Sequence, residues 1–375
     1  MPLASGCLMQ HQMPDTAEPS LRASRTKKVV IVDDSKTIRS WLRVVFAQDA
    51  RLEVVGEADS AEKARQVIKH TRPDVITLDI EMPGMSGLDF LDRLMQLRPM
   101  PVVMISGSTQ SNSDATITAL TLGAVDCILK PSTPTNRDVW KDISRRVFSA
   151  ACSTVQVTRR SMKEVARSRG QVGNDELPLI LIGASTGGVA ALEEVLSNLH
   201  TDGPPVVVVQ HMPGAFLVSF SHLLNRNLSQ DVAIVRAGEP LGAGQIRLAP
   251  SQGMHTEIVR ERGQWSCALV SEPQNTLHCP SVDVLFRSAL PFSKDVIGVI
   301  LTGLGRDGAD ALLGLRKAGA RTMGQDEHTS VIYGMPRVAW EIGAVQKQLP
   351  LSLIGEGINR AAALHASGKS KGRSS

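Results

Sequence analysis

The stretch VVIVDDSKTIRSWLRVVF (29–46) joins a β-branched apolar run to an amphipathic segment, and this pairing decides the fold of the N-terminal half. The run ends in Asp33 and Asp34, and Ser35 follows them as a candidate helix N-cap. The same strand–helix pairing recurs along the chain as far as about residue 148. Five such units predict a doubly wound parallel sheet with helices on both faces.

The predicted elements of this half alternate regularly. Ser60 and Ser113 are candidate N-caps for two later helices. We expect strands at residues 29–33, 53–58, 74–79, 101–106 and 125–129, and helices at residues 35–48, 60–71, 87–97, 113–122 and 137–150.

Polar side chains follow the carboxyl ends of these strands, where parallel sheets place their ligand sites. They are Asp33 and Asp34, Asp79, Ser106 and Lys130. Converging carboxylates raise one another's pKa unless a cation compensates, and Mg²⁺ favours carboxylates and water in an open site. Alternatively, each aspartate simply caps the helix that follows it. The joint order of Asp-Asp, LDIEMPGMSG, a hydroxyl and a lysine favours the metal site.

Residues 28–148 resemble the receiver domain of response regulators, a flavodoxin-like doubly wound fold with five parallel strands. The resemblance implies that Asp79 accepts a phosphoryl group from a partner histidine kinase. It also implies that Asp33, Asp34 and Asp79 bind Mg²⁺, together with the backbone carbonyl of Glu81.

The same resemblance implies a phosphorylation switch. Lys130 would contact the phosphoryl group, and Ser106 would move to accept it. One position departs from the family pattern, because Cys127 stands where an aromatic residue is usual. This departure puts the usual aromatic rotamer switch in question, but not phosphorylation itself.

A second α/β module is predicted at residues 177–365. Its apolar runs LPLILIG, PPVVVVQ, VAIVRA, QIRLAP, VIGVILTG and ARTMGQ predict strands, and HTEIVRERGQWSCALV predicts a hairpin. The alternation of these runs with helical segments indicates a doubly wound, mostly parallel sheet.

Residues 183–187, GASTG, match the G-x-S-x-G pattern between a strand and a helix that begins near Gly188. A sharp turn there would expose the Ser185 hydroxyl, and the N–H groups of the helix N-terminus would suit an oxyanion. A glycine-rich turn can instead bind phosphate. However, the stretch is neither G-x-G-x-x-G nor a Walker sequence, and no acidic residue follows at the distance expected for a ribose contact.

Two further side chains fall at strand ends in this module: His211 after VVVVQ, and Asp307 after VIGVILTG. An isolated histidine of this kind is more often structural. Asp283, Asp310 and Asp326 are rivals of Asp307 that spacing does not exclude. The order Ser…His…Asp also disfavours the ordinary α/β-hydrolase fold. The residues therefore predict a serine hydrolase and leave its acid member open.

Five segments make residues 177–365 similar to the catalytic domain of the chemotaxis protein-glutamate methylesterases: GASTGG, VVVVQHMPGAF, CPSVDVLFRSA, GVILTGLGRDGADALLGLRKAGA and QDEHTSVIYGMPRVAWEIGAV. The resemblance implies that Ser185 is the nucleophile, His211 the general base and Asp307 its orienting partner. Residues 277–279, LHC, stand where that family usually has basic residues, a departure that bears on receptor contacts.

Together the two resemblances imply a phosphorylation-activated serine esterase in chemotaxis adaptation. We expect it to hydrolyse glutamate γ-methyl esters of methyl-accepting chemoreceptors to glutamate and methanol, and to deamidate receptor glutamines. Mg²⁺ is expected for phosphorylation and no cofactor for ester hydrolysis. Two alternatives stay open: the same fold acting on another protein, or a catalytically silent protein that binds in response to phosphorylation.

Composition and charge bound the cellular context. The five cysteines form no CxxC or metal-ligand spacing, which indicates a reducing compartment. No apolar run is long enough to span a bilayer, and the N-terminus lacks signal-peptide features. Of the net charge of +4, residues 1–28, 145–170 and 367–375 carry +11, so the two folded modules carry −7.

This distribution disfavours nucleic-acid binding, because the basic excess lies in solvated tails and a linker. We expect a cytoplasmic, monomeric protein without membrane insertion. It would have a disordered N-terminal extension at 1–27, a linker at 149–176 and a basic flexible tail at 366–375.

Overall fold

The computed structural model of the chain describes residues 26–107, 110–130, 137–153, 177–251, 253–271 and 276–372. Almost all of the predicted N-terminal extension, residues 154–176 of the predicted linker and the last three residues lie outside this range. Within the described residues, no helix is both long enough and apolar enough to cross a bilayer.

The N-terminal domain alternates strands and helices as predicted. Its elements are β1 Lys27–Val32, α1 Lys36–Ala47, β2 Leu52–Ala58, α2 Ala61–Thr71, β3 Val75–Asp79, α3 Gly87–Leu97, β4 Val102–Ser106, α4 Gln110–Thr121, β5 Asp126–Leu129 and α5 Arg137–Ala151. All strand pairs are parallel, in the order β2-β1-β3-β4-β5. The five-stranded doubly wound sheet is confirmed, and its central strands β1, β3 and β4 are buried on both faces as such sheets require.

The predicted helix caps have different outcomes. Ser35 and Ser60 cap α1 and α2, where their side chains accept hydrogen bonds from the N–H groups of Ile38 and Lys63. The predicted cap at Ser113 is wrong, because α4 begins at Gln110 and Ser113 is buried within it. Helix α4 packs against the C-terminal domain as well as its own sheet, so its sequence lacks a clear one-sided apolar stripe.

The C-terminal domain contains a larger parallel sheet and a small antiparallel one. Its elements are β6 Leu179–Ala184, α6 Gly188–Ser197, β7 Val206–Gln210, α7 Gly214–Asn227, β8 Asp231–Ile234, β9 Pro240–Leu241, β10 Gln245–Leu248, β11 Met254–Glu261, β12 Gln264–Ser271, α8 Val282–Ser288, a 3-10 helix Leu290–Asp295, β13 Val296–Ile300, α9 Ala309–Lys317, β14 Arg321–Gln325, α10 Met335–Glu341, β15 Lys347–Leu349 and α11 Leu351–Gly372.

The larger sheet has the order β15-β14-β13-β6-β7-β10-β8, and all of its pairs are parallel. The mostly parallel sheet and the hairpin β11–β12 are therefore confirmed. The short strands β9 and β15 were not predicted. Helix α11 continues to Gly372, so the tail boundary predicted at residue 365 does not coincide with a helix end.

The central strands β13, β6 and β7 position the site of this domain. They lie side by side in register, so the loops after their carboxyl ends converge at one edge of the sheet. Apolar clusters cover both faces of the sheet and hold these three strands rigidly.

Candidate functional sites

The turn after β6 presents Ser185 between two backbone anchors. The Ser185 N–H donates to the carbonyl of Thr302 on the loop after β13 (3.0 Å), and the Ser185 carbonyl accepts from the Gly188 N–H (2.7 Å). Gly187 adopts φ +79°, and a Cβ atom there would lie 2.6 Å from Val331. The turn needs glycine at this position, which explains why small residues surround the serine.

Gln210, the last residue of β7, joins this turn to His211. Its amide Nε2 donates to the carbonyls of Ser185 (2.9 Å) and His211 (3.0 Å). The His211 N–H in turn donates to the carbonyl of Ala184 (3.0 Å). The backbones that carry the serine and the histidine are therefore fixed to each other by one buried amide.

His211 and Asp307 form a buried hydrogen-bonded pair. The Nε2–H of His211 donates to Asp307 Oδ2 at 2.8 Å. Asp307 also accepts from the Ser281 hydroxyl (2.8 Å) and from the backbone N–H groups of Val282 (2.7 Å) and Asp283 (3.0 Å). Burial alone would raise the pKa of Asp307, but the hydrogen bond and charge of His211 and the two backbone donors lower this pKa to about 2. The carboxylate is therefore ionised and holds His211 in a single orientation.

The three rival acids lie elsewhere. Asp310 pairs with Arg306 on the surface. Asp283 accepts from the Ala311 N–H, and Asp326 accepts from the N–H and hydroxyl of Thr329. Among the candidates, the structure brings Asp307 to His211.

Ser185 and His211 line the same cleft, which has a volume of about 1400 Å³. The Nδ1 atom of His211 is buried and has no hydrogen-bond partner within the described residues, so the bond to the serine hydroxyl is not formed in this structure. Because Nε2 is hydrogen-bonded to Asp307, Nδ1 is the ring nitrogen that remains available to accept a proton. Catalytic hydrogen bonds of this kind often tighten only when substrate binds.

The N-terminal domain has its own acidic site at the carboxyl ends of β1 and β3. Carboxylate oxygens of Asp33, Asp34 and Asp79 lie within 4.8 Å of one another. Lys130 Nζ donates to Asp79 Oδ2 (2.7 Å) and forms an ion pair with Asp33 Oδ2 (3.1 Å). The structure therefore assembles four of the predicted phosphorylation-site residues.

The charges of this acidic site are not balanced by the protein alone. Burial raises the pKa of Asp33, and Lys130 only partly offsets this effect. Burial likewise raises the pKa of Asp79, and the neighbouring Asp33 charge adds to it. Asp33 Oδ2 is fully buried and, within the described chain, lacks a well-aligned hydrogen bond. A hard divalent cation fits this donor set, because it would supply the missing positive charge to carboxylate oxygens.

The other predicted switch residues lie close by. Ser106 is fully buried at the end of β4, where its hydroxyl donates to the carbonyl of Gly107 (3.1 Å). Glu81 is exposed, and its backbone N–H donates to the Asp79 carboxylate. Cys127 is buried and contacts the Thr116 hydroxyl (3.6 Å), and burial raises the pKa of its thiol to about 12. Cys127 is therefore an apolar packing residue at the position of the usual aromatic switch.

Comparisons with known proteins agree with both domains. The family model of the response regulator receiver domain matches residues 29–137, and that of the CheB methylesterase matches residues 180–358. A protein-glutamate methylesterase/protein-glutamine glutaminase of Agrobacterium fabrum (strain C58) is 46% identical over 340 residues, which cover 89% of this chain and 96% of the relative.

A second relative, protein-glutamate methylesterase/protein-glutamine glutaminase 1 of Caulobacter vibrioides, is 45% identical over 333 residues, with 88% and 96% of the two chains covered. The chain belongs to this family. Among solved structures, the CheB methylesterase catalytic domain of Thermotoga maritima is 30% identical and covers 49% of this chain and 97% of its own, with a TM-score of 0.47.

In this member of the methylesterase family, the receiver domain contacts the Ser185 turn directly. The hydroxyl of Thr186, next to Ser185, donates to Asp126 Oδ2 of the receiver at 3.2 Å. Asp126 is itself held by the Arg146 guanidinium through two hydrogen bonds of 2.8 and 2.6 Å. Helix α4 packs against α6 and α7, so the receiver covers one side of the methylesterase cleft.

Several of these residues were not singled out from the sequence. Ser281 precedes a short apolar helix, which is an N-cap signature, but its second bond to Asp307 needs the tertiary fold. Gln210 and Asp126 carry no sequence signal for their contacts. His278, whose ring stacks on that of His211, was noted only as part of a departure from the family pattern.

Proposed function

We propose that Ser185, His211 and Asp307 carry out the protein-glutamate methylesterase and protein-glutamine glutaminase reactions in this chain. The observation that carries the proposal is the buried His211–Asp307 pair (2.8 Å) beside the Ser185 turn. The substrate is a glutamate γ-methyl ester on a methyl-accepting chemotaxis receptor, and the products are glutamate and methanol.

The reaction begins with attack of Ser185 Oγ on the ester carbonyl, while Nδ1 of His211 accepts the hydroxyl proton. The ionised Asp307 stabilises the imidazolium that forms. His211 then gives the proton to the departing methoxide, which leaves as methanol. Water attacks the acyl-enzyme with His211 again as base, and Ser185 is released with a carboxylate on the receptor. A glutamine follows the same steps with ammonia as leaving group.

Backbone N–H groups at the start of α6 are suited to the developing oxyanion. The N–H groups of Ser185 and Gly188 already donate hydrogen bonds to backbone carbonyls. The N–H groups of Thr186 and Gly187 lie between them on the same turn and are our candidates. Each such donor typically contributes about 3 kcal/mol to transition-state stabilisation.

We further propose that Asp79 accepts a phosphoryl group from a chemotaxis histidine kinase. Asp33, Asp34 and Asp79, with the carbonyl of Glu81, would hold Mg²⁺, which neutralises charge during phosphoryl transfer. Lys130 already donates to Asp79, so its ammonium is placed to meet the phosphoryl oxygens. Ser106 would donate its hydroxyl to them in place of the Gly107 carbonyl.

Phosphorylation would activate the esterase by weakening the contact between receiver and cleft. Asp126 and Thr186 join the domains one residue from the proposed nucleophile, so in this arrangement the receiver would hinder the approach of a receptor helix, which is about 10–12 Å across. Phosphorylation would shift an equilibrium between this closed arrangement and an open one. We propose a monomeric cytoplasmic enzyme that binds neither nucleic acid nor the membrane interior.

Methanol release from methylated receptor membranes tests the reaction, with and without a phosphodonor and Mg²⁺. Ser185→Ala should abolish methanol release and fluorophosphonate labelling, because it removes the attacking oxygen of the proposed reaction. Ser197→Ala is the matched control, since this hydroxyl at the far end of α6 bonds only within its own helix in the described structure. Undiminished release by Ser185→Ala would refute the assignment.

A further inference from the structure

The rings of His278 and His211 are stacked in the methylesterase cleft. Their centroids lie 4.3 Å apart and their planes differ by 20°. His278 precedes the segment that carries Ser281, so the loop that supplies a donor to Asp307 also places a ring on the face of the general base. His211 is thus held at its edge by Asp307 and on one face by His278.

The surroundings of His278 favour its neutral form. Burial and the neighbouring His211 lower the pKa of His278 to about 4, and Arg145 of the receiver acts in the same direction. Asp307 and Asp142 oppose this effect. These are the charged groups of the two domains that act on the His278 ring.

We propose that His278 is a positioning residue that fixes the His211 ring for proton transfer and does so as an uncharged aromatic surface. This inference rests on the proposed function of Ser185 and His211. A neutral stacked ring limits rotation of His211 and tolerates the imidazolium formed when Ser185 loses its proton. A cation at the same place would repel the His211 imidazolium and disfavour its formation.

Substitutions at position 278 separate the stacked surface from its charge. His278→Phe keeps a ring without a titratable group, His278→Arg keeps a planar stacking group with a permanent charge, and His278→Ala removes both. The readout is the rate of fluorophosphonate labelling of Ser185 from pH 4 to 9 in the full-length protein. Every variant is treated with a small phosphodonor and Mg²⁺.

His278→Ala should slow labelling roughly three- to tenfold, as expected for loss of an aromatic stack. His278→Phe should stay within about threefold of the original protein. His278→Arg should be slow despite its stack. The acid limb of its profile, which reports His211, should also move to lower pH because a fixed cation disfavours protonation of the base. A purely structural role would not move this limb.

The outcomes distinguish this inference from the proposed reaction. If the unsubstituted protein does not label at Ser185, the reaction assignment fails. If it labels and His278→Ala labels equally fast, or His278→Phe is as slow as His278→Ala, the positioning role is overturned. Unchanged melting temperatures across the three variants would show that misfolding does not cause the differences.

Discussion

The two buried carboxylate sites of this molecule have opposite electrostatics. In the methylesterase domain, donors surround Asp307 and lower its pKa to about 2. In the receiver domain, burial raises the pKa of Asp33 and Asp79 although Lys130 contacts both. The first site is electrostatically complete within the protein, whereas the second needs further positive charge.

This difference in carboxylate pKa matches the role that we propose for each site. A carboxylate that orients a general base has to remain ionised throughout the reaction, so the fold supplies every donor itself. A carboxylate that accepts a phosphoryl group has to respond to a cation and a donor from outside. The most direct tests of this contrast remove one carboxylate from each site.

Asp307→Asn should have the largest effect. It keeps the shape of the side chain but removes the charge that stabilises the His211 imidazolium, and the amide cannot satisfy all of the donors around it. We expect methanol release to fall about 10⁴-fold. Asp310→Asn, which alters an exposed ion pair three residues away, should retain nearly full activity. Equal losses in both variants would contradict the special role of Asp307.

Asp79→Asn should abolish activation by a phosphodonor but leave the basal esterase rate in place. The substitution removes the proposed phosphoryl acceptor at the end of β3 in the receiver domain, whereas the Ser185 turn follows β6 in the methylesterase domain. Methanol release measured with and without phosphodonor gives the ratio directly, and we expect this ratio to fall to about one. Asp89→Asn, which alters an exposed carboxylate bonded to Ser86 on the same domain, is the control. Persistent activation of Asp79→Asn would place the acceptor elsewhere.

The sequence predicted the strands, which depend on the periodicity of apolar residues, and the polar site residues that follow the strand ends. The strands that lead to Asp33, Asp79 and His211 are short β-branched runs, and their boundaries differ from the prediction by at most two residues. The parallel order then places their polar ends at one edge, as the general rule for such sheets requires.

The remaining features depend on contacts between distant segments. The spacing in the sequence did not decide which of four aspartates pairs with His211. Tertiary packing makes that choice, because it brings the Ser281 hydroxyl and two backbone N–H groups to Asp307. The Asp126–Thr186 contact joins two domains and has no local pattern. The start of α4 was missed because part of this helix packs on the other domain.

The low pKa of Asp307 predicts a specific loss of stability in acid. Because the folded value of about 2 lies below the unfolded value of 3.8, the ionised group stabilises the fold fully above about pH 5. This contribution, roughly 2–3 kcal/mol, is lost as pH falls through the folded pKa. The stability difference between the unsubstituted protein and Asp307→Asn should therefore shrink between pH 5 and pH 2.

Urea unfolding followed by amide hydrogen exchange in β6 and β13 would measure this difference for the methylesterase domain alone. The exposed Asp310→Asn should differ little from the unsubstituted protein across the same range, since its ion pair lies in solvent. A stability difference for Asp307→Asn that does not change with pH would mean that the carboxylate contributes through shape rather than charge.

The smallest expected effect concerns Asp126, a third carboxylate, which lies at the contact between the two domains. It accepts from Arg146 within the receiver and from Thr186 beside the nucleophile. Asp126→Ala removes the link to Thr186, and a hydrogen bond to a charged group is worth about 1.5–3 kcal/mol. If the closed arrangement is the less active one, the basal rate of methanol release should rise about fivefold or more.

Asp138→Ala, which alters an exposed ion pair on the same helix as Arg146, should leave the basal rate unchanged. An unchanged basal rate in Asp126→Ala would mean that the receiver restrains the esterase through apolar packing of α4 on α6 and α7 rather than through this carboxylate.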